Sequence, residues 1–322
     1  MADSEYLSIS SAETIHKAAE LLFAGQLVAF PTETVYGLGA DALNEQAVMR
    51  IYEVKGRPIN HPLIVHISSI NYLHHWAINI PDYAMNLAQT YWPGPLTLVL
   101  KRSQIAKNFV TGNQNSVGIR VPNNPIALEL LRSFESLGGV GVAAPSANRF
   151  GQVSPTTSSD VKEEIGRYLT QKDMILDGGR SSVGIESTII DARDFVPRIL
   201  RPGAITEYML KKDIPLDRDS LHESNLRVSG NLESHYAPKA KVIIDKIAKE
   251  GQALIAMSNI QTPPGVHRIS APKSMEEFAQ ILYSAMRLAD NLGFKELVVQ
   301  SPPQIGIGIA LFDRLTKAAY QK

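Results

Sequence analysis

The first periodic segment of the chain predicts an amphipathic helix followed by a buried strand. Ser10 and Glu13 have the spacing of a capping box, and apolar residues recur at helical spacing over residues 15–23. Gly25 stands where such a helix would end, because glycine is favoured just beyond a helix C-terminus. The apolar run Leu27–Phe30 then predicts a strand.

Apolar runs and helix patterns alternate as far as residue 205. A second helix pattern leads to Lys55 and Arg57, and a strand pattern follows at Leu63–Ile67. Further strand patterns lie at Leu96–Leu100, Val117–Val121, Val140–Ala144, Met174–Leu176, Ser187–Asp191 and Arg198–Arg201. Because helix patterns lie between several of these strands, we expect an α/β fold with a mixed sheet.

The pattern changes near residue 211. Residues 211–241 are polar and irregular, which predicts a linker after a first domain at 1–210. Apolar runs resume at 242–322, where Ser274 caps a long helix pattern that ends at Gly293. We therefore expect a second, small α/β domain of the Rossmann-like kind.

Composition excludes several classes of function. The 322 residues include no cysteine, which excludes disulfides, thiolate zinc sites and cysteine nucleophiles and fits a reducing cytoplasm. Lys plus Arg and Asp plus Glu both number 32, so no overall basic field favours nonspecific nucleic-acid binding. Residues 1–11 do not resemble a signal peptide, and no apolar run is long enough to span a membrane.

Four short runs combine cations with small hydroxyl or amide side chains near predicted strand ends. They are PTETVYGLG (31–39), KGRP (55–58), APSAN (144–148) and ILRPG (199–203). Arginine grips phosphate oxygens with two parallel hydrogen bonds, and lysine supplies a point charge. These runs together favour a triphosphate and a small polar substrate. Each run alone would be equally consistent with a solvated helix end or a turn.

Common catalytic motifs are absent from the sequence. There is no Walker-type phosphate loop, no His-Glu-x-x-His metal motif and no Gly-x-Ser-x-Gly elbow. Ser146 is therefore predicted to bind a ligand rather than to act as a nucleophile. Gly139-Val140-Gly141 and Gly306-Ile307-Gly308 lack the third glycine of a dinucleotide fingerprint, so we expect close backbone packing at both.

The runs occur in the order and spacing of one family. The chain resembles the YrdC-like family, in the two-domain form found among threonylcarbamoyl-AMP synthases. The matching segments are PTETVYGLGADA (31–42), KGRPINHPLIVHI (55–67), YWPGPLTLVL (91–100), VGIRVP (117–122), APSAN (144–148), SPTT (154–157), ESTIID (186–191), LRPG (200–203) and SHYAPKA (234–240). The resemblance implies a twisted, open mixed sheet with a concave cleft.

The resemblance also implies a reaction. Threonine, bicarbonate or carbon dioxide, and ATP would give threonylcarbamoyl-AMP and pyrophosphate, with magnesium on the ATP phosphates. A tRNA threonylcarbamoyltransferase complex would then use the product to modify the adenosine beside the anticodon. The linker would reach over the active site as a lid.

Site residues are carried over position by position. Those implied for threonine are Thr34, His66, Arg120, Ala144 and Ser187. Those implied for ATP are Arg57, His61, Ser116, Ser146, Asn148, Ser154, Arg201 and Tyr236, with Lys55 and Arg57 in catalytic roles. The family more often has a smaller polar residue near His61. No metal ligand is expected from the protein.

Two other functions are consistent with such a fold. One is an RNA-binding module, against which stand the zero net charge and the lack of aromatic residues among the basic ones, although a weak local RNA contact stays open. The other is a carbamoyltransferase domain that uses carbamoyl-adenylate, against which stands the threonine set of Thr34, His66 and Arg120. The sequence leaves open the oligomeric state, the acceptor protein and the role of the second domain.

Overall fold

One large mixed sheet forms the first domain. The computed structural model describes residues 10–214, 226–230 and 236–320. The strands are β1 (Val28–Phe30), β2 (Gly37–Asp41), β3 (Ile64–His66), β4 (Leu96–Lys101), β5 (Ser116–Arg120), β6 (Val142–Ala143), β7 (Met174–Ile175), β8 (Thr188–Asp191) and β9 (Arg198–Arg201). Within the described residues they form a nine-stranded sheet in the order β7-β1-β2-β6-β3-β5-β4-β8-β9.

Strand pairing brings two predicted site residues side by side. Strands β3 and β5 are parallel, and His66 pairs with Arg120 at their carboxyl ends. Strand β6 runs antiparallel to β2 and β3, so the loop after Ala143 begins beside the amino end of β3, where the Ala144 N–H donates to the Ile64 carbonyl. Because paired residues on adjacent strands point to the same face, the register alone places the imidazole and the guanidinium next to each other.

Helices cover the sheet. They are α1 (Ala12–Phe23), α2 (Glu45–Lys55), α3 (Leu73–Trp76), α4 (Asp82–Tyr91), α5 (Asn108–Thr111), α6 (Pro125–Ser136), α7 (Ser158–Ile165) and α8 (Glu207–Leu210). Helices α1 and α6 share an apolar cluster with β1 and β6, in which Leu22, Phe30 and Phe134 are fully buried. The amphipathic pattern of α1 is thus confirmed.

The cap predicted for α1 is wrong by one residue. Ser11, rather than Ser10, is the N-cap, and its hydroxyl accepts the backbone N–H of Thr14. Ser10 instead pairs with Asp177 in the loop after β7, through its backbone N–H and its hydroxyl. A tertiary contact therefore outweighed the local capping preference.

The second domain is a small parallel sheet with two helices. Its strands are β10 (Lys241–Ile244), β11 (Ala253–Ile255), β12 (His267–Ser270) and β13 (Glu296–Val299), and its helices are α9 (Met275–Asn291) and α10 (Ile307–Ala319). The order is β10-β13-β11-β12, all parallel. The predicted Ser274 cap is present, since its hydroxyl accepts the N–H of Glu277. Strand β12 was not predicted, because this edge strand lacks a continuous apolar run.

The two domains share apolar packing. Val35, Val153 and Ile185 of the first domain belong to the same buried cluster as Phe278 and Leu282 of α9. Both parts of the predicted α/β fold are confirmed. No helix in the described part of the chain has the length and apolarity to cross a membrane.

Part of the linker also packs on the large sheet. Leu226 and Val228 lie in an apolar cluster with Val99 of β4 and Ile189 of β8. Ser234 and His235 of the matched linker motif lie outside the described residues. The described linker residues are therefore held against the strands that lead to the cleft, while the domain boundaries stay a prediction.

A glycine at the domain contact gives a test of this packing. Gly184 has a φ of +82°, and a Cβ there would collide with the backbone of Gln280 and the carbonyl of Ala279 in α9. We expect Gly184→Ala to destabilise the protein by about 2–5 kcal/mol, from left-handed backbone strain plus overpacking. Gly251→Ala is the matched control, because Gly251 has a φ of +79° but open space around it. Urea denaturation measures both variants, and an equal decrease of the midpoint in Gly184→Ala and Gly251→Ala would contradict the packing of Gly184 on α9.

Candidate active site

A cleft opens beside the paired residues His66 and Arg120 at the ends of strands β3 and β5. The sequence-predicted residues that line it are Thr34, Arg57, His66, Arg120, Ala144, Ser146, Ser187, Arg201 and Tyr236. They come from strands, loops and the linker that are far apart in sequence. The fold therefore brings most of the predicted site together, and it does so around one cavity.

Arg120 is the most constrained of these side chains. Its Nη1 donates to Thr34 Oγ1 at 2.9 Å and its Nε donates to the Gly94 carbonyl at 3.3 Å. Its Nη2 lies 2.7 Å from Glu33 Oε1 in a buried ion pair. A guanidinium has five N–H donors, so these contacts leave donors for a ligand carboxylate in a fixed orientation.

His66 is neutral beside this arginine. Burial, and after it the positive charge of Arg120, lowers the pKa of His66 from 6.5 to about 3. The imidazole ring also meets the Phe30 ring edge to face, with centroids 5.9 Å apart. A neutral imidazole has one donor and one acceptor nitrogen. It can therefore accept a hydrogen bond from a hydroxyl or an amine, which a protonated histidine cannot do.

Two further arginines, Arg57 and Arg201, also line the cleft. Arg57 donates to the Pro62 carbonyl and to Ser229 Oγ, at 3.0 and 3.2 Å. Arg201 donates to the Ser229 carbonyl at 2.9 Å and, through Nε and Nη2, to the Ser187 carbonyl. Burial lowers the pKa of Arg57 to about 10, which still leaves it charged at neutral pH. Linker residue Ser229 thus contacts both guanidinium groups.

Lys55 stands behind the cleft wall. Its Nζ donates to the carbonyls of Ser146 and Asn148, both at 2.5 Å, and burial lowers its pKa well below the usual value. Asn148 in turn donates to the carbonyls of Arg149 and Gln152. In this structure both side chains shape the loop that carries Ser146 rather than line the cavity.

The remaining predicted nucleotide residues lie around the cleft. Ser116 lines a second, adjoining pocket together with Gln114. The half-buried His61 ring packs on Phe150 with centroids 5.4 Å apart. Ser154 is fully buried and reaches the cleft only through another side chain, described below. Their roles toward ATP stay predictions.

Two buried carboxylates were missed by the sequence reasoning. Glu33 pairs with Arg120, and Glu186 lines the cleft and accepts from Ser154 Oγ at 2.6 Å. Both lie inside segments already matched, PTETVYGLGADA and ESTIID. The sequence does contain a signal for them, since each glutamate stands among apolar and hydroxyl residues that are expected to be buried. A buried charge requires a partner, so each glutamate could have been predicted to bind a cation.

Comparisons with known proteins agree with this arrangement. A family model described as "Telomere recombination" matches residues 20–203, and one described as "Threonylcarbamoyl-AMP synthase, C-terminal domain" matches residues 202–320. Threonylcarbamoyl-AMP synthase of Pyrococcus abyssi is 38% identical over 95% of this chain and 94% of its own. The Bacillus subtilis protein of the same name is 36% identical over 95% and 92%. The structure of P. abyssi Sua5 complexed with L-threonine matches with a TM-score of 0.85, 35% identity and coverage of 97% and 96%.

This chain joins a YrdC-like domain with a cationic cleft to a small parallel α/β domain. That combination is the one expected of the two-domain YrdC-like enzymes. The chain belongs to the threonylcarbamoyl-AMP synthase family. The family and enzyme class predicted from the sequence motifs are therefore confirmed. The roles of individual side chains stay predictions.

The neutral state of His66 makes stability depend on pH. Its pKa is about 3 in the folded protein and 6.5 is the ordinary value, so between these pH values the unfolded chain binds more protons. The contribution of neutral His66 to the free energy of unfolding is complete above pH 6.5 and is lost as the pH falls from 6.5 towards 3. We expect wild type to lose ~2 kcal/mol more than His66→Gln between pH 7.5 and pH 5. Urea unfolding measures this, with exposed His74→Gln as control, and equal losses in wild type and His66→Gln would contradict it.

Proposed function

We propose that this chain condenses L-threonine, bicarbonate or carbon dioxide, and ATP into L-threonylcarbamoyl-AMP and pyrophosphate. The observation that carries the proposal is the pairing of two unlike sites in one cleft. Arg120 lines this cleft with Thr34 and His66, a group that would bind the amino acid, and Arg57 and Arg201 line it as well and would bind phosphate. The names of the relatives and the threonine complex of one of them support the same substrates.

The chemistry requires positioning more than a protein nucleophile. The threonine amine captures carbon dioxide as a carbamate and releases a proton. A carbamate oxygen then attacks the α-phosphorus in line, and pyrophosphate leaves. Holding the two reactants in one orientation can supply much of the rate enhancement. Arg120 would hold the threonine carboxylate, which leaves the amine directed at the nucleotide.

Arg57 and Arg201 would neutralise the phosphate charge that develops as pyrophosphate leaves. Guanidinium groups suit this task, because their fork matches two phosphate oxygens. Ser146 also lines the cleft. Lys55 would act by keeping the 146–148 loop in place, since its ammonium binds two carbonyls there.

Magnesium would enter with the nucleotide. Among the described residues, no three His, Cys, Asp or Glu side chains are grouped so that they could hold a metal ion. The carboxylates beside the cleft, Glu33 and Glu186, are each paired with an arginine. Phosphate oxygens and water are the ligands that Mg²⁺ commonly keeps in such sites. When bound to the triphosphate, the ion would offset charge on the leaving pyrophosphate.

The linker would protect the product. Ser229 contacts both Arg57 and Arg201, and Tyr236 lines the cleft with 1% of its surface exposed. An acyl adenylate hydrolyses readily, so a cover that excludes water preserves it. These contacts support the predicted role of the linker as a lid over the active site.

The product implies a second protein. A labile mixed anhydride must pass to an acceptor soon after it forms, which we propose is a tRNA threonylcarbamoyltransferase complex in the cytoplasm. With equal numbers of basic and acidic residues in the chain, any RNA contact of this protein would be weak and local.

Pyrophosphate release should require all three substrates. The attacking carbamate forms only when threonine and bicarbonate are both present, so omission of either should leave background ATP turnover. Valine in place of threonine should be used about 100-fold less well or worse, since a site that hydrogen-bonds a hydroxyl is left with unpaired groups. A coupled pyrophosphate assay tests this, and equal ATP turnover with threonine or bicarbonate omitted would contradict the synthase function.

Arginine variants should separate the two sites. We expect Arg57→Ala and Arg201→Ala to raise the KM for ATP by about 10- to 100-fold, and Arg120→Ala to do the same for threonine, because each loses hydrogen bonds to a charged ligand. Arg198→Ala is the matched control, since this exposed arginine lies on the same strand as Arg201. An Arg57→Ala effect confined to threonine would refute the assignment.

A further inference from the structure

The second domain inserts two polar side chains into the wall of the cleft. Tyr283 of α9 donates its hydroxyl to Glu186 Oε2 at 2.9 Å, and Arg314 of α10 donates Nε to the same oxygen at 3.0 Å. Both side chains are fully buried. Glu186 Oε1 accepts from Ser154 Oγ at 2.6 Å. One carboxylate therefore joins the second domain to the catalytic domain.

The charge at this carboxylate is stable. Burial by itself would raise the pKa of Glu186, but the nearby guanidinium groups of Arg314 and Arg201 outweigh it and lower the pKa to about 2. Arg314 is also paired with Asp313, at 2.6 Å. An ionised carboxylate only accepts hydrogen bonds, so the Ser154 hydroxyl must direct its proton at Glu186 and its lone pairs elsewhere.

Glu186 lies next in the chain to Ser187, which binds Arg201. The Ser187 carbonyl accepts two hydrogen bonds from Arg201, at 3.0 and 2.9 Å. The Glu186 carboxylate and the Arg201 guanidinium also interact directly through their charges, so the environment of Arg201 depends on this carboxylate as well as on the Ser187 carbonyl. The contacts run from Tyr283 and Arg314 through Glu186 to the phosphate side of the cleft.

The same two side chains enclose the linker tyrosine. The rings of Tyr236 and Tyr283 stack with centroids 5.6 Å apart and an interplanar angle of 22°. The Arg314 guanidinium lies 5.5 Å from the Tyr236 ring centre. A ring placed between an aromatic face and a cation gains from both contacts. The second domain therefore holds a carboxylate and a linker ring at the same end of the cleft.

We propose that Tyr283 and Arg314 are positioning residues for ATP, which act through Glu186 on Ser154 and Arg201. The second domain then completes the nucleotide end of the cleft, while the threonine end around Arg120 is built by the first domain alone. This inference rests on the proposed function and specifies what the second domain contributes to it.

Tyr283→Phe is the most direct test, because it keeps the ring that stacks on Tyr236 and removes only the hydroxyl. We expect calorimetric titration to show an ATP Kd raised about 3- to 10-fold, less than for the loss of a direct hydrogen bond to a charged ligand because Tyr283 acts through Glu186, and a threonine Kd within about 2-fold of wild type. Glu186→Gln should raise the ATP Kd at least as much. The double variant should match Glu186→Gln, because Tyr283 acts through that carboxylate.

Arg287→Lys is the matched control. Arg287 also crosses the domain contact, where it binds Glu164 at 2.7 Å and the Val153 carbonyl, but it does not bind Glu186. It should lower thermal stability and leave the ATP Kd near that of wild type. An equal ATP defect in Arg287→Lys, unchanged ATP binding in a folded Tyr283→Phe, or additive effects in the double variant would overturn the inference.

The pyrophosphate assay on wild type separates this result from the proposed function. If wild type binds ATP but releases no pyrophosphate with threonine and bicarbonate, the proposed function fails, and the ATP Kd values still decide whether Tyr283 positions the nucleotide site. Arg314→Lys adds a second variant that keeps the charge and loses the Nε–H donor. It should raise the ATP Kd in the same direction as Tyr283→Phe, and a wild-type value would contradict the role of Arg314.

Discussion

Burial of guanidinium groups is the constraint on which this structure depends. Four arginines at the cleft are less than 10% exposed: Arg57, Arg120, Arg201 and Arg314. The first three line the cleft, and Arg314 binds Glu186 in its wall. A buried charge is costly unless it is hydrogen-bonded or paired, so every one of these groups must be given partners by the fold. The partners are the residues that form the walls of the site.

Those partners fix the orientation of the guanidinium groups that line the cleft. Arg120 is held by a carboxylate, a hydroxyl and a carbonyl, and Arg201 is held by the carbonyls of Ser187, just before β8, and of Ser229 in the linker. Donors that are already oriented need little reorganisation when charge develops on a substrate. A reaction between two weakly reactive partners benefits from such preorganisation, because its barrier is lowered mainly by position and by charge compensation.

The two-domain organisation has the same physical origin. Glu186 is a buried anion at the edge of the first domain, and its compensation comes from Arg314 and Tyr283 of the second. Removal of one partner from a buried pair usually costs more than the pair contributes, so the domains are tied together at this point. The apolar cluster shared by Val35 and Phe278 adds nondirectional stability around that polar contact.

The sequence by itself determined the α/β class, the family and most of the cleft, since the residues that line it follow apolar runs in short motifs. Only the tertiary structure decided how those residues are used. Glu186 lies 128 positions from Arg314 and 97 from Tyr283, so no local pattern reports their contact. The motif around Lys55 predicts a catalytic cation, whereas in the fold its Nζ donates to the carbonyls of Ser146 and Asn148. The reason is that periodicity records which side chains are buried, whereas the partner of a buried charge is set by chain segments that meet only after folding.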